Sequence, residues 1–97
     1  MTTINSYIST PGEILKEEFL DPLGISQYKI AKAIGKPQSA ISEIIRGRRS
    51  ITPEMAILLG EALGTTPQFW MNLETNYQIK TYDKIRTKQV IPLYREG

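Results

Sequence analysis

Side chains with amide, hydroxyl and carboxylate groups follow one another closely in the middle of the chain. Gln38 and Ser39 open one helical segment, and Ser42 and Glu43 come one turn later on the same predicted face. Glutamine can pair with adenine in the major groove of DNA, serine can bond to several base edges, and glutamate can accept a hydrogen bond from the cytosine amino group. These four residues are therefore candidates for reading bases.

Cations cluster around the same segment. Six of the 12 Lys and Arg residues lie between residues 26 and 49, where Glu43 is the only acid. A localised basic patch is the electrostatic footprint of a polyanion, although an ordinary solvated face gives the same pattern. In complexes of proteins with nucleic acids, amide and guanidinium groups bind phosphates, and the positive end of a helix dipole favours an anion. The candidate phosphate-binding residues are Gln27, Arg46, Arg48 and Arg49.

The same residues also fit plainer roles. Gln38 and Ser39 can be read as ordinary helix-start residues on a solvated surface. Glu43 repels phosphates, so it either reads a base or limits non-specific binding. The tight turn before Gln38 and the arginines after Glu43 favour the DNA-binding interpretation for the group as a whole.

Composition excludes several other chemistries. The sequence has neither Cys nor His, so zinc sites of the Cys/His kind, disulfides and catalysis by Cys or Ser with His cannot form. The acids are spread along helix faces and there is no Gly-rich phosphate loop, so we expect no enzymatic activity, no cofactor and no metal. There is also no run of 18 apolar residues and no signal-peptide pattern. We therefore expect a cytoplasmic protein that does not bind membranes.

Start and stop signals divide the chain into five predicted helices. The first begins with a capping box at residues 10–13, continues over 13–20 and ends at the Asp-Pro-Leu-Gly sequence of residues 21–24. Polar caps precede the later helices, and glycines follow the second, third and fourth. The predicted caps include Ser26, Thr52 and Thr66. The later helices are predicted at Gln27–Ile34, 38–46, Pro53–Leu63 and 67 to about 84.

The joint between the second and third predicted helices is short. Residues 34–38 join them through Gly35, which can adopt the left-handed conformation, and Pro37, which favours a turn. Two short helices joined by a tight glycine-containing turn are typical of a helix-turn-helix motif, whose second helix lies in the major groove. We therefore predict an all-α domain with this motif at about residues 26–47 and a recognition helix at 38–46.

The residues of this motif resemble the phage-repressor-like helix-turn-helix family. The shared pattern is a polar cap, a glutamine, an Ile-Ala pair, a glycine at the turn and a glycine after the recognition helix. These positions are here Ser26, Gln27, Ile30, Ala31, Gly35 and Gly47. The resemblance implies a five-helix lambda-repressor-like DNA-binding domain. It also implies that Gln27 anchors a phosphate, that Gln38 and Ser39 face bases with Glu43 beside them, and that Arg46 contacts the backbone.

Two further segments are similar to the HigA antitoxins, also labelled addiction-module antidotes or virulence-associated protein I. They are the PGEIL sequence at 11–15 and the TPQFWMNL sequence at 66–73, and the similarity covers about residues 10–80. It implies repression of the chain's own toxin–antitoxin operon, neutralisation of a HigB-type, RelE-like mRNA-cleaving toxin, and a homodimer on double-stranded operator DNA with an inverted repeat. A stand-alone transcriptional regulator without a toxin partner is the alternative, because the sequence does not separate the two.

The C-terminal region, about residues 67–97, is expected to be the dimerisation or tail part of a single domain that spans 1–97. It begins with an aromatic and apolar stripe formed by Phe69, Trp70, Leu73 and Tyr77. The simplest role for Phe69 and Trp70 is to close the core against the first helix. A long helix that continues beyond Tyr77 needs a partner, and a second copy is the simplest one. Residues 89–97 fit either a short strand or a flexible arm.

Overall fold

The computed structural model describes residues 9–94, which contain five helices and no strand. Helix α1 covers residues 11–23 as an α-helical turn at Pro11–Ile14, a π-helical segment at Leu15–Leu20 and a final turn at Asp21–Leu23. The all-α, five-helix prediction is confirmed. The other helices are α2 (Gln27–Ile34), α3 (Gln38–Ile45), α4 (Pro53–Leu63) and α5 (Pro67–Ile85).

Capping residues define where the helices begin. The Thr10 side chain accepts a hydrogen bond from the Glu13 backbone N–H at 3.1 Å, and the Glu13 carboxylate accepts one from the Thr10 N–H at 3.0 Å. The predicted capping box is therefore present. Ser26, Thr52 and Thr66 cap α2, α4 and α5 by accepting from the third backbone N–H of each helix. Each such cap contributes about 1 kcal/mol, so the helix starts follow from local chemistry.

Helix α1 extends three residues beyond its predicted end. The Asp21 N–H donates to the Lys16 carbonyl, the spacing of a π-helical turn. Since this turn already departs from α-helical bonding, Pro22, which has no N–H to donate, continues the helix until Gly24 ends it with φ 67°. The hydrogen bond from the Lys16 ammonium to Asp21, at 2.8 Å, together with the charge of Asp21, raises the pKa of Lys16. An ion pair spaced five residues apart therefore spans the π-helical segment.

One hydrophobic core receives side chains from all five helices. Trp70 is fully buried, and its indole N–H donates to the Thr65 hydroxyl at 2.7 Å. The ring of Phe19 lies 5.8 Å from that of Phe69 and 5.2 Å from that of Trp70, so α5 does close the core against α1. The spacing of three residues after Leu59 predicts an inward position for Ala62, but Ala62 is exposed. The core consists of Leu15, Leu20, Ile30, Ala31, Ala40, Ile41, Ile44, Ile51, Met55, Ala56, Leu59 and Trp70.

Helices α1 and α3 approach so closely that only glycine fits at position 12. A Cβ on Gly12 would lie 1.9 Å from the Ile44 carbonyl oxygen and 2.7 Å from the Ile45 Cα. Both are backbone atoms, so a change of side-chain rotamer cannot relieve the contact. Gly12 therefore sets the distance between α1 and the helix that carries the candidate base-reading residues.

The end of α5 extends away from the core. The helix has 19 residues and is about 28 Å long. Ile79, Tyr82 and Ile85 in its last two turns are each more than half exposed. Residues 86–94 are exposed and have no regular secondary structure, so no strand begins within 89–94. The predicted strand or arm also includes 95–97, which lie outside the described residues.

Replacing Gly12 by alanine should destabilise the domain strongly. Because the new Cβ meets backbone, we expect Gly12→Ala to lower the free energy of unfolding by at least about 3 kcal/mol, the upper end of overpacking costs. Urea titration followed by circular dichroism at one fixed protein concentration measures this. Gly24→Ala is the control, since its Cβ meets no atom within 4 Å and only the positive φ costs about 1 kcal/mol. Equal losses in the two variants would contradict the close α1–α3 contact.

Candidate nucleic-acid interface

The turn between α2 and α3 has the predicted geometry. Gly35 adopts the left-handed conformation with φ 72°, its N–H donates to the Lys32 carbonyl at 3.3 Å, and the Lys36 N–H donates to the Ala31 carbonyl at 3.0 Å. These bonds satisfy the last carbonyls of α2 and turn the chain within three residues. Pro37, in extended conformation, then begins α3. The two helices and their tight joint form a helix-turn-helix motif.

Helix α3 has one buried side and one accessible side. Its buried residues are Ala40, Ile41 and Ile44. Gln38 and Ser39 are exposed at its first turn, and Ser42 and Glu43 are partly buried one turn later. Residues three or four positions apart share a helix face, so the structure brings all four candidate base-reading side chains together.

The first turns of α2 and α3 present further polar groups. Gln27 is partly buried at the first position of α2, directly after its cap Ser26. Pro37, the N-cap residue of α3, forms no side-chain hydrogen bond. The first N–H groups of α3 therefore lack the side-chain partner that the other four helices have. Both helix starts carry the partial positive charge of a helix dipole.

A cationic loop, residues 46–52, follows α3. The helix ends at Ile45, one residue before its predicted end, and Arg46 forms its C-cap. Gly47 reverses the chain with φ 77°, and the Arg48 N–H donates to the Glu43 carbonyl at 2.8 Å. Arg46 and Arg48 are exposed. The loop therefore places exposed cations directly after the helix that carries the candidate base-reading residues.

Glu43 forms an ion pair within the chain. Its Oε1 atom accepts from Nη2 of Arg49 at 2.6 Å and from Nε of the same residue at 3.0 Å. Both side chains are about half exposed, so the pair contributes only about 0–1 kcal/mol to stability. Its main effects are to orient the Arg49 guanidinium and to reduce the repulsion between Glu43 and an approaching phosphate. The roles of Glu43 in base reading and of Arg49 in phosphate binding stay predictions.

A second cation of the basic segment, residues 26–49, is also paired. The Lys36 ammonium lies 3.1 Å from the Glu54 carboxylate on α4, and the Lys36 side chain is only 30% exposed. This pair joins the turn of the motif to α4. The charge that the basic segment can offer to a polyanion is therefore smaller than its residue count suggests.

Glu74 on α5 is a buried acid that the sequence analysis missed. It is 6% exposed, its Oε1 accepts from the Ile51 backbone N–H at 2.9 Å, and its Oε2 accepts from the Gln78 side-chain amide at 2.7 Å. Ile51 belongs to the cationic loop, 23 residues away in sequence. The available signal was helical spacing, because Glu74 lies four residues after the buried Trp70 and hence on the same face.

The described residues form neither a metal site nor a membrane-spanning helix. No group of three or more acidic side chains among residues 9–94 is arranged to hold a metal ion. No helix in the same part of the chain is long and apolar enough to cross a membrane. The candidate site therefore consists of the accessible side of α3, the start of α2 and the cationic loop.

Comparison with known proteins identifies the family. A helix-turn-helix family model matches residues 15–70, from α1 into α5. Virulence-associated protein I of Dichelobacter nodosus is 42% identical over 85 residues, which cover 86% of this chain and 79% of that protein. The solved structure of Pseudomonas aeruginosa antitoxin HigA with the higBA promoter is 36% identical, with a TM-score of 0.82 over 91% of this chain and 100% of that chain. The chain belongs to the HigA-type helix-turn-helix family.

The HigA relatives also include a longer protein. Antitoxin HigA-1 of Vibrio cholerae is 44% identical over 63 residues, which cover 65% of this chain and 59% of that antitoxin. The HigA family consists of DNA-binding proteins that are not enzymes, in agreement with the prediction from composition. The resemblance noted in the PGEIL and TPQFWMNL segments is therefore confirmed as membership of the family.

The two acids that bind the cationic loop should contribute differently to stability. Glu74→Ala leaves the buried Ile51 N–H without a partner, so we expect a loss of about 1–3 kcal/mol in the free energy of unfolding. Glu43→Ala removes an exposed ion pair and should cost less than about 1 kcal/mol. Chemical denaturation of both variants beside the wild-type chain measures the difference. A cost for Glu43→Ala equal to that for Glu74→Ala would refute this assignment.

Proposed function

We propose that the chain is an antitoxin that binds operator DNA as a homodimer, represses its own operon and neutralises a HigB-type, RelE-like mRNA-cleaving toxin. The observation that carries the DNA-binding part is the accessible side of α3, with its four polar side chains beside the cationic loop. A relative with the same fold, 36% identical, has been solved with the higBA promoter, which supports an operator as the ligand here.

The proposed complex has α3 in the major groove. Gln38 and Ser39 stand at the helix N-terminus, the end that reaches the bases in helix-turn-helix complexes. Ser42 reads from the next turn. Glu43 either accepts from a cytosine amino group or holds Arg49 toward the backbone, and its observed pair with Arg49 supports the second role.

Phosphate contacts flank the groove on both sides in this proposal. Gln27 donates to one phosphate from the start of α2, where the helix dipole adds to the attraction. Arg46, Arg48 and Arg49 hold phosphates from the other side. These contacts position the protein and supply the salt-dependent part of the affinity, whereas the residues of α3 supply specificity.

A second copy of the chain would pack against the C-terminal part of α5. Three large apolar side chains there, Ile79, Tyr82 and Ile85, are more than half exposed on a helix that has left the core. Their exposure supports a twofold dimer, in which a second copy would bury them. Dimers of this kind read half-sites about 34 Å apart.

Toxin neutralisation is supported by the antitoxin relatives rather than by a surface of this chain. If a RelE-like reading frame neighbours its gene, co-expression with that frame tests it, because an antitoxin restores growth and a stand-alone regulator does not. Failure to restore growth, together with specific operator binding, would favour the stand-alone regulator.

The DNA upstream of the chain's own gene should be its specific ligand. We expect fluorescence anisotropy to show more than about a hundredfold preference for this fragment over a scrambled duplex, because specific binding typically exceeds non-specific binding by about 10³ or more. Titrations at two salt concentrations separate the charge-driven part of the affinity. Equal, weak and salt-sensitive binding to both duplexes would mean that this fragment is not the operator. Binding to neither would reject the repressor.

Gln38→Ala and Arg48→Ala should weaken DNA binding in different ways. Loss of a base contact at Gln38 should cost about 1–3 kcal/mol and relax the preference at one base pair. Loss of a phosphate contact at Arg48 should weaken binding to every duplex and make the slope of log K against log salt shallower by about one unit. Affinities for the operator and for single-base variants, over a salt series, distinguish the two. If Gln38→Ala lowered the affinity equally for all single-base variants, Gln38 would contact the DNA backbone rather than a base. If Arg48→Ala left the salt slope unchanged, Arg48 would not belong to the contact surface.

A further inference from the structure

We propose that Glu74 is a positioning residue for DNA binding: its carboxylate, on α5, holds the end of the cationic loop and so orders the loop arginines beside α3. This inference rests on the proposed operator binding and adds a residue that touches no DNA. It joins two parts of the fold that are far apart in sequence, α5 and the loop that follows the recognition helix.

The loop is held at its two ends by different means. At its start, the N–H groups of Gly47 and Arg48 donate to carbonyls of α3, at 3.0 and 2.8 Å. At its end, the Ile51 side chain is 2% exposed in the core and its N–H donates to Glu74 at 2.9 Å. Between these points the chain has no helical or strand bonding of its own. The buried Ile51 side chain and the Glu74 contact therefore fix the second half of the loop together, and Glu74 is the polar part of this attachment.

A second contact reinforces the first. The Gln78 amide donates to Oε2 of Glu74 at 2.7 Å and lies 3.5 Å from the Ser50 hydroxyl. Gln78 thus fixes the orientation of the buried carboxylate and reaches the residue next to Ile51. Two consecutive loop residues are in this way connected to one face of α5.

Burial of an acid at this place needs a specific reason. Removing a carboxylate from water costs free energy, and an apolar side chain would fill the position without that cost. An apolar side chain would, however, leave the buried Ile51 N–H without an acceptor. Glu74 also lines a cavity of about 130 Å³ together with Arg48 and Arg49, so an acid at this position lies near the cations of the loop. Glu74 therefore serves the loop in two ways: it accepts the hydrogen bond of the Ile51 N–H, and it places an acid near the loop cations.

Two substitutions at position 74 separate positioning from stability. Glu74→Gln keeps one acceptor oxygen for the Ile51 N–H, whereas Glu74→Leu is similar in size and has none. We expect Glu74→Leu to bind the operator and the scrambled duplex about tenfold more weakly, with a salt slope shallower by about one unit, as when one phosphate contact is lost. Glu74→Gln should stay within about threefold of the wild-type chain and keep its slope. Circular dichroism at the assay temperature establishes that each variant is folded.

The combination of Glu74→Leu with Arg48→Ala and Arg49→Ala tests the route of the effect. If Glu74 acts through these arginines, the leucine substitution should weaken binding by less than about twofold once they are absent, because coupled residues are not additive. An effect of full size in that background, or no effect of Glu74→Leu on affinity and slope in the wild-type background, overturns the proposal and leaves Glu74 with a structural role alone.

Two further measurements keep the test decisive. If Glu74→Leu does not fold, Gln78→Ala replaces it, because Gln78 is exposed and its loss should leave the core intact. A weakened contact to Glu74 should lower the affinity for both duplexes about two- to threefold. An unchanged affinity would overturn the proposal. If the wild-type chain binds neither duplex, the proposed function fails, but positioning is still measured by amide hydrogen exchange at Ile51 and by backbone NMR order parameters for residues 48–51. Exchange and order unchanged in Glu74→Leu would overturn it as well.

Discussion

The arrangement of this domain depends on the burial of one side of a very short helix. Helix α3 has eight residues and cannot be stable alone. Three of its side chains complete the core, and this burial leaves the opposite side accessible. Each neighbour then removes one freedom of movement: Gly12 sets how closely α1 approaches, the Gly35 turn sets the angle to α2, and the loop to Ile51 sets how the chain leaves.

Two ion pairs set where two of the cations of the basic segment lie. Within the basic segment, Lys36 binds an acid of α4 and Arg49 binds an acid of α3. These pairs cost little and gain little in stability, since they are partly exposed. Their effect is to orient two of the cations and to prevent Glu43 from acting as an isolated negative charge on the recognition helix. The net charge of the chain does not reveal which cations are paired and which are free to meet a polyanion.

Local chemistry made much of the fold predictable from sequence. Caps such as Ser26 and Thr52 and the glycine of the α2–α3 turn act within three or four residues, so the bounds of α2 and α4 follow directly. The helical period likewise places the candidate base-reading residues on one side. The π-helical segment of α1 was not predicted. Two further features depend on distant contacts and were not predictable: the Gly12 contact with α3 and the hydrogen bond between the Ile51 N–H and Glu74. Each requires knowledge of which elements meet in space.

The separation of the two sides of α3 has an evolutionary consequence. Gln38 and Ser39 are exposed and contribute nothing to the core. Substitutions at exposed positions typically change stability by less than about 0.5 kcal/mol, so these two positions can vary while the fold persists. A duplicated gene can therefore acquire a new target sequence in a few steps without passing through an unfolded intermediate. Copies that coexist in one genome can in this way lose their affinity for each other's operators.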